Sequence, residues 1–312
     1  MGGVVCLAGG VGAARFLQGL VKVIPEENIT VIVNTGDDIE LHGLYISPDI
    51  DIVTYTLANI VDEEKGWGVR GDTFHCLGML KRYGYETWFN LGDMDLAAHI
   101  SRTQLLKRGL KLSEVTDKHR KSLGVKTKIL PMTDDRFETH IQTRVGKMHF
   151  QEFLVKREAA DPVIGVCFEG AGKAKPAPGV VESIEDSDGV IICPSNPIVS
   201  IGTILSVEGV RGALREASAR IIAISPIVGG RPIKGPADKL MECLGLEVSA
   251  KAVAGIYKDF LDAFIIDNVD SGERERIEEL GLEVIVTNTV MKSMSDKISL
   301  ARDALKTLRM RE

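Results

Sequence analysis

Seven short apolar runs, rich in β-branched residues and separated by helical patterns, constrain this chain more than any other feature. They are Val4–Ala8, Ile29–Val33, 163–168, 189–193, 221–225, 263–266 and Glu283–Thr287. Continuous runs of this kind, bounded by Gly, Pro and Asn, belong to strands covered on both faces of a parallel sheet. Helical spacing falls between them, as at Phe16, Leu17, Leu20, Val21 and Ile24, and again along 293–309. The expected fold is α/β: a Rossmann-like, mostly parallel sheet with helices on both faces. The stretch 93–161 breaks the rhythm. It carries helical pieces at 96–108 and 113–122, then short alternating strands at 126–131, 139–145 and 147–155. It reads as an inserted α+β subdomain in a single domain spanning 1–312.

Composition excludes several functions. The chain has 38 Lys and Arg against 44 Asp and Glu, a net charge of −6, and 5% aromatics. Nucleic-acid binding wants a basic face and stacking platforms, so it is not expected. No window approaches 18 consecutive apolar residues, so no membrane span is expected. The start, MGGVVCLAGG, reads as a first strand and not as a signal peptide. The five cysteines are scattered and form no CxxC pair, as in a reduced, cytoplasmic chain. Cys6, Cys167 and Cys193 lie in apolar runs and are expected to be buried. Glycine alone is in excess, at 32 of 312 residues.

Much of that glycine sits where strands end. Gly9-Gly10-Val11-Gly12-Ala13-Ala14-Arg15 follows the first run, where glycine lets backbone approach a phosphate at a helix N-terminus. It is not a dinucleotide fingerprint, because Arg15 stands where GxGxxG needs its third glycine. No P-loop occurs. Val33-Asn34-Thr35-Gly36-Asp37-Asp38 follows the second run. Its adjacent carboxylates suit ribose hydroxyls or a metal, with at most one of Asp37 and Asp38 facing a ligand. Ser47-Pro48-Asp49-Ile50-Asp51 precedes a helical run at 54–61. Asp49 and Asp51 either cap that helix or join Asp37 or Asp38 in an oxygen-rich cluster that Mg²⁺ prefers.

Gly66–Thr73 (66–73) and 88–95 are further dense polar segments. Asp95, His99 and Arg102 share a helix face, as a surface ion pair beside an N-capped helix would. Pro194-Ser195-Asn196-Pro197 through Gly202, then Ser225 through Lys234-Gly235-Pro236, and Thr287-Asn288-Thr289 follow later runs. Ligands in open α/β sheets bind beyond the carboxyl ends of strands, so such loops together describe a crevice. No G-x-S-x-G elbow and no zinc spacing among the six histidines appears. Phosphoryl or nucleotidyl group transfer suits such a site best, because positioning and Mg²⁺ do most of the work there.

LAGGVGAARFLQGL, VNTGDD, HGLYISPDID, GWGVRGDTF, WFNLGDMDLAAHI, LPMTDD, FQEFLVKR, PSNPIVSIGTIL and SPIVGGRPIKGPADK, in this order, resemble the 2-phospho-L-lactate transferase (CofD) family of coenzyme F(420) biosynthesis. The resemblance covers nearly the whole chain. Asn90 departs from it, standing where many members carry Arg. The resemblance implies transfer of a phospholactyl-type group from lactyl-2-diphospho-5′-guanosine to the ribityl hydroxyl of the deazaflavin Fo. GMP leaves, Mg²⁺ is required, and the assembly is expected to be a homodimer. It further implies that Gly9, Gly10, Gly12, Asn34, Asp37, Ser195, Asn196, Ser200, Gly202, Lys234 and Gly235 hold the nucleotide and its phosphates. Asp49 and Asp51 are the implied catalytic and metal-binding pair, and Asp51, Thr87, Asn90 and Asp93 the Fo side. A related family, the gluconeogenesis-factor regulators, shares GG-x-G, WF-x-LGD and PSNP-type motifs and offers the alternative of a nucleotide-sugar-binding regulator. HGLYISPDID and FQEFLVKR favour the transferase. A dinucleotide-dependent oxidoreductase is disfavoured by the broken GxGxxG.

Overall fold

The computed structural model describes residues 3–309. Seven strands form the central sheet: β1 (Val4–Ala8), β2 (Ile29–Val33), β3 (Lys128–Pro131), β4 (Gly189–Ile192), β5 (Arg220–Ile224), β6 (Ala263–Asp267) and β7 (Glu283–Thr287). They lie in the order β7-β6-β5-β4-β1-β2-β3, and every neighbouring pair is parallel. All residues of β1, β4, β5 and β6 are buried, which is why they show no polar alternation.

Alternate residues along β1 serve two cores. Val4, Cys6 and Ala8 pack with Phe16, Leu17, Ile50, Val53, Leu300 and Leu305. Those side chains come from α1 (Gly10–Leu20), α2 (Pro48–Leu57) and a last helix, α4, at Met294–Arg309. Val5 and Leu7 pack on the other face with Ile204, Val210, Leu240 and Val253, from four shorter helices. Helices thus cover both faces, as the sequence pattern indicates. Each fully buried Leu, Ile or Phe contributes roughly 1.5–3 kcal/mol. Among the described residues no helix is long and apolar enough to cross a membrane.

Two runs exchange places relative to the sequence expectation. The segment read as 126–131 in the insertion supplies β3, an edge strand of the central sheet, because Ile129 and Leu130 bury against β2. The run 163–168 is not in that sheet. Val163–Glu169 pairs antiparallel with Glu138–Thr143, which pairs antiparallel with Gly146–His149. Its residues are only half-buried and Cys167 is exposed, so glycine and cysteine there mimic an apolar run without a core on both sides. The expected strand 147–155 stops at His149, and Glu152–Lys156 forms a helical turn.

The strand order places the site. From β1 the chain builds outward through β2 to β3, then returns to lay β4 on the opposite side of β1. The connections after β1 and β4 therefore diverge, and a crevice opens beyond the carboxyl ends of these strands.

Candidate active site

A cavity of about 770 Å³ fills that crevice. Its wall takes Gly9, Gly10 and Gly12 from the turn after β1, Asp37 from the turn after β2, and Ser195, Asn196 and Ser200 from the turn after β4. Lys234, Gly235, Thr289 and Lys292 close it from later loops.

The first and fourth turns are locked together. The Gly9 N–H donates to Ser195 Oγ at 3.2 Å. A Cβ on Gly12 would drive into the Pro194 carbonyl, and one on Gly9 would stand 2.6 Å from Ser200 Cβ. These glycines are therefore required by the close approach of two backbone turns, and not only by a ligand. The Asn196 side chain builds its own turn, accepting from Ile198 N at 2.9 Å and Val199 N at 3.2 Å. α1 begins at this junction with no side-chain cap and no acidic residue in its first turn. Its positive end faces the cavity through Gly9 and Gly10, an arrangement suited to anions.

Acids stand directly beside the glycine turn: Asp49 accepts from the Gly10 backbone, and a Cβ on Gly9 would lie 3.0 Å from Asp49 Oδ2. Pro48 opens α2 and places Asp49 and Asp51 in its first turn, where carboxylates suit the helix dipole. Asn34 does not line the cavity. It donates from Nδ2 to Asp49 Oδ2 at 2.9 Å, while its Oδ1 accepts from Gly36 N and Thr203 Oγ1. Asp37 is buried and its Oδ1 has no hydrogen-bond partner. Burial, then the neighbouring Asp49 charge, pushes the Asp37 carboxyl well above the ordinary range. Burial raises Asp49 to about 6, against hydrogen bonds from Asn34 and the Gly10 backbone. Asp38 turns away from the cavity, to Ser47 Oγ at 2.6 Å and the Tyr45 hydroxyl at 2.9 Å. Burial raises it to about 8. Only one of the two adjacent aspartates faces the cavity, and it does so from a turn, closed by the Asp38 N–H donating to the Thr35 carbonyl at 3.2 Å, and not from extended backbone.

Asp51 is held differently. Arg102, from α3 (Asp93–Lys107), donates from Nη1 to Asp51 Oδ2 at 3.0 Å and from Nη2 to Oδ1. The guanidinium is 2% exposed. His99 Nδ1 lies 3.7 Å from Asp51 Oδ2, His99 Nε2 lies 3.4 Å from Asp95 Oδ1, and Tyr55 donates to Asp95 Oδ1 at 2.7 Å. The face expected to carry a surface ion pair is thus a buried network whose members Asp51, Tyr55, Asp95 and His99 line the cavity. Its burial follows from side chains of α2 that reach α3, Asp51 to Arg102 and Tyr55 to Asp95, which spacing within one helix cannot reveal. Asp51, Asp95 and His99 bring ligand atoms within 4.8 Å of one another. The Arg102 cation already neutralises Asp51 there.

The structure does not bring every expected residue to the wall. Asn90 lines the cavity, whereas Thr87 and Gly202 do not. Asp93 ties down the preceding loop, accepting from His75 N and Cys76 N at 3.0 Å each and from Thr73 Oγ1 at 2.5 Å. Residues not anticipated as site members include Arg15, which ends the glycine turn, and Gln151, which reaches Asp37 Oδ2 at 3.4 Å. Arg15 and Lys234 form no ion pair among the described residues. Burial, then Arg15, lowers the Lys234 pKa. Trp67, Phe89 and Phe150 add aromatic faces. The cavity therefore brings together cations at the α1 N-terminus, buried carboxylates and three aromatic side chains.

Known proteins share this chain's sequence and fold. The family described as "2-phospho-L-lactate transferase CofD" matches residues 4–300. The 2-phospho-L-lactate transferase of Methanocaldococcus jannaschii is 46% identical over 303 residues, covering 96% of each chain. The phosphoenolpyruvate transferase of Streptomyces griseus is 44% identical over 308 residues, covering 97% of each. A solved Bacillus halodurans protein superposes with a TM-score of 0.64 at 16% identity, covering 97% of this chain and 99% of that one, a likeness of fold alone. By its family match and these full-length relatives, the chain is a transferase and belongs to the 2-phospho-L-lactate transferase CofD family.

Proposed function

We propose that this transferase moves a phospholactyl-type group from a guanosine diphosphate ester to the ribityl hydroxyl of the deazaflavin Fo, giving coenzyme F(420)-0 and GMP. The observation that carries this reading is one cavity lined by the cations Arg15 and Lys234, the buried carboxylates Asp37, Asp49 and Asp51, and the aromatic side chains Trp67, Phe89 and Phe150. A diphosphate suits the cationic part of the lining: the α1 N-terminus, Arg15 and Lys234 offer positive charge to it. The ring system of Fo suits an aromatic face such as Trp67, Phe89 or Phe150.

In the transfer, the hydroxyl oxygen bonds to the phosphorus that carries the lactyl group, and the anhydride bond to GMP breaks. Arg102 holds Asp51 as a carboxylate in one orientation, so Asp51 accepts the hydrogen bond of the attacking hydroxyl and aims its oxygen. Asp37 and Asp49 fit a hard divalent cation: both are buried, the Asp49 charge raises Asp37, and an Asp37 oxygen is buried without a partner. Bound there, Mg²⁺ supplies charge neutralisation for the diphosphate. Asn34 fixes the orientation of Asp49.

A fluorescence titration tests this reading. Fo is expected to bind the protein in the presence of GDP and Mg²⁺, and D51N to weaken Fo but not GDP. Tight binding of a UDP-sugar with no binding of Fo would refute it in favour of a nucleotide-sugar-binding regulator.

A further inference from the structure

We propose that Glu138, His140 and Glu169 form a binding site for one divalent transition-metal ion of the zinc class, pinning two strands of the small antiparallel sheet together. None of the three lines the cavity, so the proposal stands apart from the transferred group.

Glu138 stands directly opposite Glu169 in the register of Glu138–Thr143 with Val163–Glu169, and His140 is two residues along. Residues two apart on a strand, and residues opposite across a pair, share a face. The side chains converge accordingly. His140 Nε2 lies 3.6 Å from Glu138 Oε2, and Nδ1 lies 3.4 Å from Glu169 Oε2. One ligand atom from each of the three residues lies within 4.8 Å of the others.

One atom of the cluster is left without a hydrogen-bond partner. Two carboxylates facing each other across a ladder repel. Arg136 and Lys147 bond the outer oxygen of each, Glu138 Oε1 and Glu169 Oε1. Lys147 holds the Glu169 carboxyl below its ordinary range, which leaves the inner oxygens to face one another across His140. The inner Oε2 atoms point to the imidazole, whose Nδ1 is buried and has no hydrogen-bond partner. The imidazole of His149, across the other strand pair, is already engaged by the Asp38 carbonyl and Gln151 N. Cys167 lies opposite His140 in register and is exposed. An imidazole with two carboxylates suits Zn²⁺ or Co²⁺, whereas Mg²⁺ prefers oxygen alone.

Chelator-treated protein titrated with Zn²⁺ by calorimetry, and with Co²⁺ by visible absorption, tests the site. H140A is expected to weaken Zn²⁺ binding at least tenfold and to abolish a Zn²⁺-induced rise in melting temperature. D49N should retain both. E169Q, at an exposed position, gives the same loss if H140A does not fold. Equal Zn²⁺ binding by wild type, H140A and E169Q, or a loss confined to D49N, would overturn the assignment.

Discussion

Replacing Arg102 by Met tests the buried network that holds Asp51. Arg102 is 2% exposed and donates to both oxygens of Asp51, itself 10% exposed at the side chain. Removing the guanidinium leaves Asp51 buried with only His99 Nδ1 near it, at 3.7 Å. Breaking a buried pair by deleting one partner costs about 3–5 kcal/mol, because the surviving charge stays desolvated. R102M should lower stability by that amount in urea denaturation, and D51N should lower it similarly by stranding the arginine. The double variant R102M/D51L leaves no lone charge. It should recover at least half of the loss, though it cannot orient a hydroxyl. A loss below about 1 kcal/mol for R102M, or strictly additive losses in the double variant, would refute the reasoning.

Further outcomes follow from neighbouring groups. Asp38 has a folded pKa of about 8 against an ordinary 3.8, so the folded state keeps a proton that the unfolded chain releases. Its contribution is complete below about pH 4 and is lost as pH rises to 8, with a slope of at most about 1.4 kcal/mol per unit. D38N should therefore gain on wild type between pH 5 and 8, and parallel stability curves would contradict this. Mg²⁺ binding to Asp37 and Asp49 should release protons near pH 6, seen as calorimetric heats that vary with buffer ionisation enthalpy in wild type and not in D37N/D49N. Heats independent of buffer in wild type would reject that site. G12A should lose about 1–3 kcal/mol and most activity by forcing apart the turns after β1 and β4. G212A, a helical glycine with nothing within 4 Å, should be neutral or stabilising by up to about 1 kcal/mol. Equal effects of the two would contradict the packing account.

The central sheet was legible because burial on both faces leaves unbroken apolar runs, and β1, β2 and β4 through β7 each carry one. β3 was less so: Lys128-Ile129-Leu130-Pro131 is short and lies at an edge, and its place depends on pairing with β2. Val163–Glu169 misleads for the opposite reason, since apolar residues occupy half-exposed positions on a small sheet. The crevice was legible from loops at successive strand ends. The partners of its carboxylates were not. Asp51 and Arg102 are 51 residues apart, and they meet only through the tertiary fold, with α3 seated on Leu44–Ile46 ahead of α2. The glycine excess was legible as a feature of the site, but its cause at Gly9 and Gly12 is the contact between two protein turns. Local sequence shows a tight turn without showing what presses against it.

The most direct test of the central claim is a turnover assay with purified protein, Mg²⁺, Fo and guanosine diphosphate esters of phospholactate and phosphoenolpyruvate. GMP and a phosphodiester-linked deazaflavin product would be quantified by liquid chromatography and mass spectrometry. The account predicts GMP and deazaflavin product in equal amounts, with the phospholactate ester the better donor, and loss of both in D49N. Absence of GMP release from either donor in the presence of Fo and Mg²⁺ would contradict it.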